Sequence, residues 1–179
     1  MKKLQSLKNQ ILPPNLFATI VEHTPLISID LIIRNRNGEV LLGRRLNAPA
    51  KGFWFTPGGR IYKNETMADA FARIIYDETG LIRTLDDATF LGTYEHFYDD
   101  STMSSHISTH YVVLAYEITA DIDLSTLPHT QHGDYRFISI DQLMNDPQVH
   151  THVKWYFEKL GNQHHEKYSN HRTRANCSG

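Results

Sequence analysis

Cysteine is nearly absent: Cys177 is the only one in 179 residues. That excludes an intrachain disulfide framework and any cysteine-based zinc cluster. No run approaches the roughly 18 consecutive apolar residues of a membrane span. The basic, polar stretch Met1–Gln10 lacks the apolar segment of a secretion signal. A cytoplasmic protein without membrane contact is the expectation. An excess of charge of one sign is missing too, since 18 Lys and Arg oppose 20 Asp and Glu for a formal net charge of −2. Such a balance gives no basic footprint for nucleic acid. There is no internal repeat, and no linker rich in Gly, Ser or Pro divides the chain. With 40% apolar residues, the composition fits one globular domain and not general disorder.

Histidine is present in surplus, with eleven residues. Either some of them do chemistry or they are a diffuse compositional habit. The ends look peripheral: residues 1–15, closed by Pro13-Pro14, read as an extension, and residues 161–179 as a mobile polar tail. Between them, residues 16–160 form the domain. Leu26–Ile33 and Glu39–Arg45 are β-rich runs joined by Asn37-Gly38, a hairpin signature. Thr66 to Thr79 has helical periodicity, with Thr66 as N-cap and Gly80 as the stop. Phe90–Tyr98, His110–Ile118 and Tyr135–Ile140 read as strands. Ser139 opens a short helix, and Val149–Leu160 is a further helical candidate. This order predicts an α+β fold, an α/β/α sandwich around a mixed sheet.

The helix over 66–79 carries a carboxylate on its apolar stripe. With Met67 at zero, Phe71 falls at about 40°, Ile74 at about 340°, Ile75 at about 80° and Glu78 at about 20°. A buried carboxylate is costly unless it is paired or holds a cation. The alternative is that Glu78, in the last turn, bends out to solvent. Arg73 and Asp77 flank it. Just upstream, Pro57-Gly58-Gly59-Arg60 follows the aromatic run Phe53-Trp54-Phe55. Paired glycines permit close backbone approach to a ligand and leave backbone groups free for a metal or phosphate.

Gly59, Glu65, Arg73, Ile75, Asp77-Glu78, Gly80 and Leu81 stand at the spacing of the Nudix box, and the chain resembles that superfamily. Two positions depart from the pattern: Ile74 replaces the Glu after Arg73, and Asp77 replaces the next Glu. A missing acid at position 74 removes a carboxylate used in multi-metal attack on phosphorus. The same departure occurs in the GDP-mannose mannosyl hydrolases. Blocks resembling that branch include Leu41-Leu42-Gly43-Arg44-Arg45, Gly52-Phe53-Trp54-Phe55, Glu95-His96-Phe97-Tyr98-Asp99-Asp100 and Gln131-His132-Gly133-Asp134-Tyr135-Arg136.

That resemblance implies a mixed sheet between helices and a homodimer. It implies hydrolysis of GDP-mannose, or also GDP-glucose, to GDP and the inverted free sugar. Mg²⁺ or Mn²⁺ would be held by the Gly58 carbonyl, Glu78 and Gln131, an oxygen-rich set suited to either ion. His132 matches the general base, and an ordinary imidazole is suited to accept a proton near neutrality. Arg45, Arg60 and Arg73 match the family's functional arginines, while Asp30 and Tyr111 match substrate contacts. Each has a plainer alternative: surface ion pairs for the arginines, a strand-edge hydrogen bond for Asp30, packing for Tyr111. Two further readings are a Nudix pyrophosphatase cleaving a nucleotide sugar at phosphorus and a non-catalytic nucleotide-sugar sensor. A zinc or nickel handler resting on His164, His165 and His171 is a fourth.

Overall fold

The computed structural model describes residues 12–158. The tail, its histidines and most of the 1–15 extension lie outside them. Seven strands make one mixed sheet. Its centre is β1 (Leu26–Arg34), an apolar run buried on both faces. It pairs in parallel with β6 (Thr109–Thr119), which pairs antiparallel with β5 (Thr89–Tyr98). Along its other side β1 takes two partners in succession. β4 (Gly58–Arg60) covers Ser28 to Asp30, and β2 (Val40–Arg45) meets it only at Arg34↔Val40.

The expected Asn37-Gly38 turn is present, with Gly38 at φ 78°. The two strands part after that single pair, so the full hairpin does not form. β2 spends its edges instead on β3 (Trp54–Phe55) and β7 (His132–Ile138). The opening left beside β1, between β4 and β2, is where the site lies.

Alternation along β1 sends side chains to two cores. Ile29, Leu31 and Ile33 pack with Phe71, Ile74 and Ile75 of α2 (Met67–Thr79). Burying a side chain such as Phe71 or Ile75 stabilises the fold by roughly 1.5–3 kcal/mol. Ile32 packs on the opposite face with Leu143 and Val153, from α3 (Ile140–Asn145) and α4 (Thr151–Trp155). The fold is therefore the expected sheet between helices.

Three elements differ from expectation. Pro14–His23 forms a helix, α1, with Pro14 at its first turn, where a missing N–H costs nothing. The last helix covers only Thr151–Trp155: the His150 side chain caps its start by accepting from the His152 N–H, and it ends at Tyr156. β7 starts at His132, three residues before the expected Tyr135.

Candidate active site

Helix α2 begins where its sequence says: the Thr66 hydroxyl accepts from the Asp69 N–H at 3.1 Å. It ends at Gly80, whose φ of 74° suits a residue without Cβ. The periodicity therefore holds through the last turn, and Glu78 stays on the buried face at 5% exposure instead of bending out. Gln131 Nε2 donates to Glu78 Oε1 at 2.8 Å. Upstream, Glu65 accepts two bonds from Arg73, at 2.7 and 2.9 Å, and Arg73 Nη2 also donates to the Arg60 carbonyl at 2.8 Å. These contacts strap the 60–65 loop to the helix.

A cavity of about 300 Å³ opens beside β1. The structure brings to its wall Asp30 from β1, Tyr111 from β6, Arg45 from β2, Gly58 and Arg60 from β4, Arg73 and Glu78 from α2, and Gln131 just before β7. Gly58 must be glycine: a Cβ there would sit 2.7 Å from the Ile29 carbonyl oxygen and 2.8 Å from Asp30 Oδ1. The β1–β4 ladder uses the Pro57 carbonyl, which accepts from Leu31 N–H, and the Ile61 N–H, which donates to Ile27 O. Antiparallel alternation then turns the Gly58 carbonyl away from β1.

The arginines are differently employed. Arg73 spends its donors on Glu65 and the Arg60 carbonyl, so its main work is to hold the loop. Arg60 makes no ion pair among the described residues, and its guanidinium lies 4.0 Å from the Phe17 ring of α1. Arg45 anchors through Nε to the Pro49 carbonyl at 2.8 Å, and its charge partly opposes the rise in pKa that burial gives Asp30 and Glu78.

His132 departs from expectation. It does not line the cavity and is 1% exposed. The register of β7 on β2 lays its ring against Gly43, where a Cβ would come within 2.5 Å of it. Nδ1 lies 3.7 Å from Glu78 Oε2, and Nε2 is buried without a partner. Burial pushes its pKa down to about 4, so this is not the ordinary imidazole that its place in a loop suggested.

Burial is also the largest influence on the two buried carboxyls of the cavity, raising Asp30 to about 6 and Glu78 to about 7. A carboxylate this buried and facing a cavity is suited to receive a cation. Among the described residues no three His, Cys, Asp or Glu side chains converge on a metal position. The donor set that fits is accordingly mixed: one carboxylate, Glu78, with the Gly58 carbonyl and the Gln131 amide oxygen, which its bond to Glu78 leaves free. All three are hard oxygen donors, as Mg²⁺ and Mn²⁺ prefer.

A family model, the NUDIX domain, matches residues 24–159. The chain belongs to the Nudix family. It is 44% identical over 151 residues to the low-salt glycan biosynthesis protein Agl8 of Haloferax volcanii, covering 83% of this chain and 90% of that protein. Among solved structures, a MutT NUDIX hydrolase from Burkholderia pseudomallei aligns with a TM-score of 0.60 at 25% identity, covering 77% of this chain and 99% of that one. The NUDIX domain of NrtR from Shewanella oneidensis, solved with ADP ribose, shares the fold, with a TM-score of 0.53 at 18% identity over 88% of this chain and 96% of that one. Nudix hydrolases act on small molecules and generally use divalent ions such as Mg²⁺ or Mn²⁺. No helix among the described residues is long and apolar enough to cross a membrane.

As a Nudix hydrolase, the protein has a box reduced in acids. Glu65 is tied to Arg73, Asp77 lies 3.7 Å from Arg73 Nη1, and position 74 is an isoleucine. Ile74 is packed against Gly59, where a Cβ would meet its Cγ1 at 3.2 Å. Only Glu78 is a buried box carboxylate free of an arginine. Sequence reasoning missed several cavity residues, among them Phe17, Thr56, Tyr62 and Tyr98. Tyr98 and His96 stood in a matching block without a role. Phe17 lay in a segment with no strong helix signal, and only the Pro14 start could have marked it.

Proposed function

We propose that this Nudix hydrolase cleaves GDP-mannose, with GDP-glucose as an alternative substrate, to GDP and the free sugar by water attack at the anomeric carbon. The observation that carries the reading is the single free acid of the box. Attack at phosphorus by paired metals calls for several carboxylates at one place. Here the box offers one without an arginine, since Asp77 is paired with Arg73 and the cavity's remaining carboxyl, Asp30, stands apart on β1; arginines suited to a pyrophosphate stand with it. The relative in Haloferax volcanii carries glycan biosynthesis in its name, which accords with a sugar-bearing substrate.

Gly58, Glu78 and Gln131 would hold a divalent cation, which, when bound, offsets the charge that the departing diphosphate gathers. Arg45 and Arg60 orient the diphosphate by charge-assisted hydrogen bonds. Arg73 contributes by fixing the Arg60 backbone. Water adds to C1 as the C1–O bond to the β-phosphate breaks; the bonding pair leaves with GDP and the water proton passes to a base. GDP is already a good leaving group, so a carboxylic acid to protonate it is less needed than in ordinary glycoside hydrolysis. The base in this reading is His132, and it requires the 128–131 turn to open when ligand binds. The Gln131–Glu78 bond, which anchors that turn, is the contact a bound cation would replace. A homodimer belongs to the same reading.

A ¹H NMR time course with GDP-mannose and Mg²⁺ tests it. GDP and initially inverted mannose are expected. GMP with mannose 1-phosphate would establish a pyrophosphatase, and binding without turnover would establish a sensor.

A further inference from the structure

A buried hydrogen-bonded chain, His96–Tyr156–Asp30, takes no part in the chemistry above. Tyr156 follows α4 and stands 126 positions from Asp30, to whose Oδ2 its hydroxyl donates at 2.6 Å. The same hydroxyl oxygen lies 3.2 Å from His96 Nε2. A phenol has one proton to give. With that proton on the short bond to the carboxylate, the phenol oxygen is left as an acceptor. His96 must then carry its proton on Nε2 and keep Nδ1 as a lone pair. Asp30 and His96 both line the cavity, whereas Tyr156 does not. Asp30 Oδ1 lies against the bare Cα of Gly58 and makes no hydrogen bond to another described residue.

We infer that Tyr156 is a positioning residue that fixes Asp30 and His96 as two hydrogen-bond acceptors for the hydroxyl-bearing part of the substrate. Phosphate oxygens are themselves acceptors and gain nothing from such a pair; a polyhydroxylated group supplies the donors. The identity of that group as the sugar of a nucleotide sugar rests on the function proposed above.

The test is Tyr156→Phe in the full chain, where the ring keeps its edge-to-face packing on Tyr94 at 4.8 Å. Imidazole ¹⁵N shifts should report the Nε2–H tautomer for wild-type His96, and an Nδ1–H tautomer overturns the inference. By calorimetry in chelator, where turnover is withheld, wild type should bind GDP-mannose more tightly than GDP. The variant should lose about 10-fold in GDP-mannose affinity, the worth of a hydrogen bond to a charged group, with GDP affinity held within about twofold. Equal loss for both ligands marks a merely structural role and overturns the inference, as does no loss for either or equal wild-type affinity for the two. Wild-type turnover is scored apart: if no GDP is released, the proposed reaction fails while tautomer and binding still decide the role of Tyr156.

Discussion

The two walls of the cavity respond to pH in opposite directions. The wall made by α2 and β4 buries Glu78, whose pKa rises from 4.5 to about 7. The wall behind Asp30 buries His96, His150 and His152, whose pKa values fall from 6.5 to about 2, 4 and 3. In the first case the folded protein binds more protons than the unfolded chain, so stability is lost as pH rises from about 4.5 to about 7. In the second the unfolded chain binds more, so stability is lost as pH falls below about 6.5. Asp30 sits between the walls and follows the first sign. The difference separates a wall built to receive positive charge from one built to exclude it.

The largest effect that sharpens this contrast is at the junction. His132→Gln should lower kcat by about 10²–10⁴ with little change in KM, as for lost general-base catalysis. Steady-state kinetics measures it, and an unchanged kcat removes His132 from that role. Glu78→Gln comes next. The half-saturating Mg²⁺ concentration should rise at least about 10-fold. In chelator, denaturant titrations should show the variant gaining on wild type between pH 4.5 and 7, by on the order of 3 kcal/mol at the upper end. A variant that tracks wild type at every pH would mean that the carboxyl is not charged at that site's expense.

Arg73→Gln leaves Glu65, whose side chain is 2% exposed, without its partner. A loss of about 3 kcal/mol is expected in chemical unfolding, with kcat/KM falling because the Arg60 backbone is released. The smallest effect lies in the opposite wall. His152→Leu should remove part of the acid sensitivity, about 2 kcal/mol at pH 5 relative to neutral pH, and leave Mg²⁺ dependence alone. Unfolding at both pH values, with a Mg²⁺ titration beside it, separates the two walls directly.

The same two walls differ in how far the sequence disclosed them. The α2 wall was legible because a helix repeats its faces: Thr66, Gly80 and the stripe through Phe71, Ile74 and Ile75 located Glu78 before any tertiary contact was known. Gly58, Arg60 and Gln131 follow only from the resemblance to a known family, and the structure brings them to the same cavity. The histidine wall depends on contacts between distant segments. Nothing local to Tyr156 says that it meets Asp30, and nothing local to His96 says that it stacks on His152 at 4.2 Å. His132 was misplaced for a related reason, since its burial follows from the register of β7 on β2, and register is a property of two strands together. Of the eleven histidines, His150 and His152 proved to be packing behind the cavity, beside His96, which lines it.

The central claim is that one free box acid directs attack to carbon. Hydrolysis of GDP-mannose in ¹⁸O-enriched water with Mg²⁺, followed by mass analysis of both products, tests it most directly. The label is expected in mannose, with GDP unlabelled. Label in the phosphate of a nucleotide or sugar phosphate would show attack at phosphorus and contradict the account.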